Sequence, residues 1–167
     1  MTQRTLRRQK GVTIVEFALV FPLLMLLFFA VFDFGMYYFI QHSIQFATRE
    51  GVRLALVGRT IPDGAGNPQS REASIIQTIK SKAAVAVNPT ALQISIYPVD
   101  GTTYADPSGW QTTQDAGLPG NYMRVRTRYT YRFVTPLKFL MPLVIRWTPP
   151  ESFVISAQAT YRNELFD

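Results

Sequence analysis

The chain opens on one long apolar stretch and then changes its hydrophobic period. From Val12 to Phe32 the only charged residue is Glu16, and Asp33 ends the run. As a helix those residues reach about 31 Å, the hydrocarbon thickness of one bilayer. Beyond them Ile40, Ile44, Ala47, Gly51, Leu54 and Ala55 recur at the spacing of one helix face. The pattern therefore predicts a continuous helical spine from residue 12 to about 57, with its apolar stripe packed on the protein's own sheet. Gln41, Gln45, Thr48, Arg49 and Arg53 are placed on its other faces, and Glu50 is spaced to pair with Arg53. Gly51 costs about 1 kcal/mol against Ala in a helix interior, so its presence there signals close packing. Gly58 supplies a stop.

Residues 58–70 form a loop by composition. A second helix is predicted to start at Asn67-Pro68 or Ser70, to bury Ile75, Ile76, Ile79 and Ala83, and to end before Asn88-Pro89. The period then becomes two. Leu92, Ile94 and Ile96 alternate with Gln93, Ser95 and Tyr97. Met123, Val125, Thr127, Tyr129, Tyr131 and Phe133 alternate with Arg124, Arg126, Arg128, Thr130 and Arg132. Phe153, Ile155, Ala157, Ala159 and Tyr161 alternate with Val154, Ser156, Gln158, Thr160 and Arg162. Alternation of this length predicts strands in a sheet with one face covered by the helices, an α+β arrangement without βαβ units. The stretch 135–150 is unusually apolar for a connection, yet too short and Pro-interrupted to cross a membrane. Either it folds back as core, the reading adopted here, or it exposes Phe139, Leu140, Met141 and Trp147 to a partner or the outer leaflet.

Charge adds an orientation. Arg4, Arg7, Arg8 and Lys10 precede the apolar run with no acid among them. Without those four, 13 basic residues stand against 11 acids, a balance of +2 within the total of +6. That is not the balance of a nucleic-acid-binding domain. Basic residues beside a span hold that end in the cytoplasm, so residues from about 40 onward are expected outside, with Tyr37 and Tyr38 at the outer interface. The arginines of the second predicted strand invite a single-strand-binding reading, but the interleaved aromatics face the opposite side. A solvated edge or a subunit contact is the reading adopted, and the flanking Lys138 and Arg146 also suit an edge protected against further pairing.

Glu16 has no use in a plain anchor. A charge near the bilayer centre costs about 2.5–3.5 kcal/mol on insertion scales, less near an interface. Either Glu16 serves assembly, or it snorkels to the cytoplasmic headgroups a turn away. A secretory signal peptide is a poor fit, since the run is too long and lacks a small-x-small site before Asp33. Pro22 removes one backbone donor and is expected to bend the helix.

The stretch Gly11-Val-Thr-Ile-Val-Glu-Phe-Ala-Leu-Val-Phe-Pro, with Asp33-Phe-Gly and Ala47-Thr-Arg-Glu-Gly-Val-Arg, resembles the TadE-type minor pseudopilins of the tight-adherence (Flp) pilus. The resemblance is specific over residues 7–55. It is looser over 122–164, where Ile155-Ser-Ala-Gln-Ala-Thr-Tyr-Arg-Asn-Glu is similar to that family's closing strand. It implies that a prepilin peptidase cuts after Gly11, leaving Val12 as the new amino terminus and Glu16 as its fifth residue. A glycine suits the extended backbone a protease must approach closely. The resemblance further implies that Glu16 pairs with the terminal amine of a neighbouring subunit, which neutralises a costly carboxylate and sets axial register. Implied partners are the major Flp-type pilin, a companion minor pseudopilin, the lipid bilayer, and an inner-membrane platform with a cytoplasmic motor ATPase, but no nucleic acid.

Chemistry of other kinds finds little foothold. There is no cysteine, which excludes disulfides, thiolate metal sites and a Cys nucleophile. One histidine, His42, removes most His-based catalytic and zinc sets. Asp100, Asp106 and Asp115 match no calcium-loop spacing. No phosphate loop or nucleophile–base pair is visible, so neither enzyme activity nor a cofactor is expected. The expectation is a pilin-like α+β protein of the inner membrane: leader 1–11, transmembrane helix 12–39 continuing to about 57, and a periplasmic head 58–167 of about 125 residues with the spine's end, enough for a modest core. Its head would hold an antiparallel sheet of at least three strands packed with helices. Its expected work is priming of, or incorporation into, a pilus that supports adhesion and biofilm formation, with the protein then also in the extracellular pilus. The alternative is a permanently anchored periplasmic binding or scaffold protein that never polymerises.

Overall fold

The computed structural model describes residues 12–112 and 114–165 in full and the backbone alone of residues 3–11. Its elements in chain order are α1 (Gln3–Leu56), α2 (Arg71–Ala83), β1 (Gln93–Pro98), β2 (Tyr122–Tyr131), α3 (Leu137–Ile145) and β3 (Phe153–Arg162). The strands form one antiparallel sheet in the order β1-β2-β3. The fold is α+β with a long apolar amino-terminal helix, as the periods predict.

The chain divides into two compact units. One joins the chain up to Tyr37 with Arg132–Phe153, and the other joins Tyr38–Tyr131 with the chain from Val154. In the second unit α1 buries Ile40, Ile44, Ala47, Gly51 and Ala55 of the sequence stripe, while Leu54 is only half-buried. Thr48 corrects that stripe, since it also faces inward at 1 % exposure. Its hydroxyl lies 2.8 Å from Thr127 Oγ1 on β2, and Thr127 in turn reaches Ala157 O of β3 at 3.3 Å. This buried polar contact is satisfied on both sides, so it joins helix to sheet without the penalty of an orphaned hydroxyl.

Gly51 is the point of closest approach. A Cβ built there would lie 2.8 Å from Ile79 Cδ1 of α2 and closer still to Cγ1. Gly58 takes a left-handed φ of 67°, and its N–H donates to Ala55 O, ending α1 where the glycine predicted a stop. Helix α2 starts from Ser70, whose side chain accepts from Ala73 N at 3.1 Å. It buries Ile75, Ile79 and Ala83, while Ile76 stays half-buried. The alternative start at Asn67-Pro68 lies in the loop, where Asp63 instead accepts from Asn67 N.

Two expectations for the sheet change. First, Ile94, Ser95, Ile96 and Tyr97 of β1 are all buried, so β1 is covered on both faces. Its outer edge is also closed, because Gln114 bonds Ile96 N and Ile94 O while Asp115 N donates to Ile96 O. Second, β2 is the central strand and not an edge. β1 pairs with it in antiparallel register, Ile96 opposite Val125 and Ser95 opposite Arg126.

Tyr161 of β3 is buried at 5 % exposure, and its hydroxyl lacks a hydrogen-bond partner among the described residues. Burial pushes the phenol up from 10.0 to about 12. The folded state therefore holds its proton where the unfolded chain has already lost it. Stability should fall as pH rises from about 10 to about 12, by on the order of 2–3 kcal/mol. Tyr161→Phe should remove that alkaline loss and cost little near neutrality, which denaturation midpoints measured across this pH range would read. An unchanged alkaline slope in the variant would count against the buried phenol.

Candidate functional site

The predicted site residues lie along the first part of α1. Arg4, Arg7, Arg8, Lys10 and Gly11 belong to the stretch where only backbone is described, so their side chains lie outside the described residues. Val12 and Glu16 are both exposed on the helix. So are Ile14 at 69 %, Phe17 at 63 % and Leu19 at 74 %, although they are among the most apolar side chains in the chain. The most apolar window of this helix has none of its residues buried within the structure. A helix that is apolar all round and uncovered by its own chain is suited to lipid or to other helices, not to water. One helix of this length and composition is consistent with a single-pass membrane anchor. The helix runs through Pro22 without a break.

Two carboxylates bracket the uncharged part of the span. Glu16 stands near its start and Asp33 about 25 Å further along the axis. Their surroundings differ. Glu16 makes no hydrogen bond or ion pair with another described residue and faces outward. Asp33 is 2 % exposed and accepts from Val134 N at 2.9 Å, from Thr135 N at 3.4 Å and from the Thr135 hydroxyl. These N–H groups lie just ahead of α3, whose own first N–H, that of Leu137, donates to Thr135 Oγ1 at 3.3 Å. Asp33 thus fixes the approach to α3 against α1, a role the sequence reading missed. The signal was Thr135-Pro136 ahead of an apolar run, a pattern that marks a helix start.

The stretch 135–150 therefore needs correction. It is not folded back as core. Residues 137–145 form α3, of which Leu137 alone is buried, while Phe139, Leu143 and Trp147 are largely exposed. Of the four residues named for an exposed patch, Leu140 and Met141 are half-buried and Phe139 and Trp147 are open. Pro142 sits inside the helix and disguised it in the sequence. Around Tyr37 the rings form a small cluster: Phe153 packs edge-on to both Tyr37 and Phe133, at 6.5 and 5.5 Å. Tyr38 is exposed.

The arginine face of β2 is not a solvated edge. Arg124 is 7 % exposed; its Nε donates to Thr160 Oγ1 at 2.8 Å and its guanidinium pairs with Asp106. Tyr97 donates to the same carboxylate at 2.8 Å. Those two partners, Arg124 first, hold the Asp106 carboxyl below its usual range. The Arg128 guanidinium lies 4.2 Å from the centre of the Trp110 ring. The loop between β1 and β2 therefore occupies this face with its own aromatic and acid. Asp100 and Asp115 cap turns in that loop, accepting from Thr102 N and Gly117 N. No group of three or more metal-ligating side chains forms among the described residues. Glu50 pairs with Arg53 at 3.8 Å, as their spacing suggested, and His42 is exposed.

Sequence comparison bears on the segment just described. Residues 11–53 match the family model of the TadE-like proteins. The TadE-like match begins at Gly11, contains Glu16 and Asp33, and runs into the stripe that packs on the sheet. It bears out the resemblance seen in the amino-terminal part and does not reach residues 155–164. No curated protein and no solved structure matches the chain.

Proposed function

We propose that this protein is a minor pseudopilin that takes part in assembly of a tight-adherence type IV pilus, by priming the filament or entering it. One observation carries the reading. A TadE-like helix leaves its apolar surface uncovered and sets a single outward carboxylate, Glu16, near the start of that surface. Helices of this kind are stored in a bilayer and later packed against one another, exchanging lipid for neighbouring helices. In such a bundle Glu16 would find the terminal amine of the next subunit once cleavage after Gly11 has made Val12 the amino terminus. The amine and the carboxylate then neutralise each other in a medium of low dielectric constant.

On this reading Arg4, Arg7, Arg8 and Lys10 hold the leader in the cytoplasm, and the sheet-containing unit faces the periplasm. The partners are a prepilin peptidase, the major pilin, a companion pseudopilin, and an inner-membrane platform with its motor ATPase. The protein's work is structural, without catalysis or a cofactor, in support of adhesion and biofilm formation. Mass spectrometry of protein extracted from peptidase-competent membranes tests the processing step. The chain is expected to begin at Val12. An intact leader in those cells would favour a permanently anchored scaffold instead.

A further inference from the structure

Helix α3 is apolar on opposite sides. Leu137 is packed inward at 1 % exposure, whereas Phe139 and Leu143 are 77 % and 78 % exposed and lie one turn apart on the other side. Arg146 adopts a left-handed φ of 54° that ends the helix, and Trp147 follows it half-exposed. Large side chains so open in a row cost water contact that soluble surfaces avoid, and they mark a surface meant for another phase or partner.

The position of α3 selects between those occupants. It belongs to the same compact unit as the apolar half of α1. Asp33, the residue that ends the uncharged span, accepts the backbone N–H groups of Val134 and Thr135 that lead into α3. The start of α3 is therefore fixed at the level where the span leaves the hydrocarbon. Aromatic rings gather at the same level, with Tyr37, Phe133 and Phe153 in contact. Residues 132–153 carry Arg132, Lys138 and Arg146 against Glu151, a balance of +2 that suits anionic headgroups. Short helices with an open apolar face, basic residues and a tryptophan lie in the interfacial plane of a bilayer.

We propose that α3 is a second membrane element, lying in the headgroup region of the leaflet where α1 emerges, with Phe139, Leu143 and Trp147 turned into the lipid. The proposal rests on the reading of α1 as a membrane span. Its consequence is that the protein is held both by a crossing helix and by a surface helix clipped to it through Asp33.

Full-length protein reconstituted in vesicles of equal parts phosphatidylcholine and phosphatidylglycerol tests both readings at once. In a Trp110→Phe background Trp147 is the single tryptophan, and lipids brominated at shallow or deep chain positions quench it according to depth. Trp147 emission is expected to be blue-shifted and lost with shallow bromines, less so with deep ones. Phe139→Ser with Leu143→Ser in the same background should restore much of the emission. A companion protein lacking both native tryptophans, with Phe28→Trp, reports on α1 and should be quenched by deep bromines. Quenching of that reporter with Trp147 untouched by any brominated lipid would overturn the surface helix, leave the span standing, and turn the exposed face toward a protein partner. If neither reporter is quenched, the membrane reading of α1 falls as well. Unaltered quenching of Trp147 in the double serine variant would also overturn the proposed role of the Phe139–Leu143 face.

Discussion

Glu16→Ala is expected to leave the protein in the membrane, and cut after Gly11, yet to stop its entry into pili. The hypothesis follows from an exposed carboxylate with no partner among the described residues, on a surface otherwise apolar. In a single anchored subunit the charge is tolerable because it stands one turn from Val12, near the headgroups. In a helix bundle it is tolerable only when paired. Removing one partner of a buried pair costs about 3–5 kcal/mol, since the other charge is left uncompensated. That is roughly 150-fold or more in the equilibrium for each subunit added. Here the uncompensated group would be the terminal amine of the neighbour. Glu16→Gln should rescue only weakly, since an amide keeps the shape and loses the charge. Pili sheared from cells and probed by immunoblot and electron microscopy would give the readout. Normal piliation with the alanine variant in the filament fraction would remove the pairing role.

The second large effect is steric. Gly51→Ala should destabilise the protein even though alanine is the better helix former. The substitution gains about 1 kcal/mol of helix propensity. Against it stands a Cβ placed 2.8 Å or less from two atoms of the Ile79 side chain, with Ile75 O at 3.5 Å behind them. Overpacking of that kind costs about 1–3 kcal/mol, because Ile79 is fully buried and has nowhere to turn. The test lies in the pair. Ile79→Ala alone should cost about 2–5 kcal/mol by opening a cavity. In that background Gly51→Ala meets no obstacle and should become neutral or stabilising by about 1 kcal/mol. Melting of the four detergent-solubilised proteins gives the coupling directly. A Gly51→Ala single variant that melts above the parent would show that α1 and α2 do not approach as closely as described.

What was legible in the sequence was what repeats. The stripe from Ile40 to Ala55 and the three alternating segments announce helix and strands because burial on one side imposes a period. Ser70 and Gly58 were legible for a different reason: capping chemistry is local, and one residue carries it. The misreadings share a cause too. Nothing in the arginines of β2 shows that Trp110 and Asp106 close over them, because those partners come from a loop without period. Thr48 looked like a surface residue until Thr127, 79 positions away, supplied its partner. α3 was hidden by Pro142 and by an acceptor, Asp33, 101 positions from the N–H group it receives. Glu16 stands out in the sequence because a lone carboxylate in an apolar run violates a simple energetic rule.

Arg71 carries a consequence for the order of folding. Its guanidinium donates to Ala55 O in the last turn of α1, to Gly117 O in the loop before β2, and to Asn163 Oδ1 just after β3. Glu164 N closes the same helix end by donating to Leu56 O. The carboxyl end of the spine is thus completed by residues more than a hundred positions later, and such non-local contacts form late. During synthesis the helix emerges first, but its last turn stays without these partners until residues 163 and 164 have been delivered. A subunit truncated before them would present a finished amino-terminal helix on an unfinished body. The Arg71–Asn163 junction thus ties the end of the spine to the last part of the chain to be made.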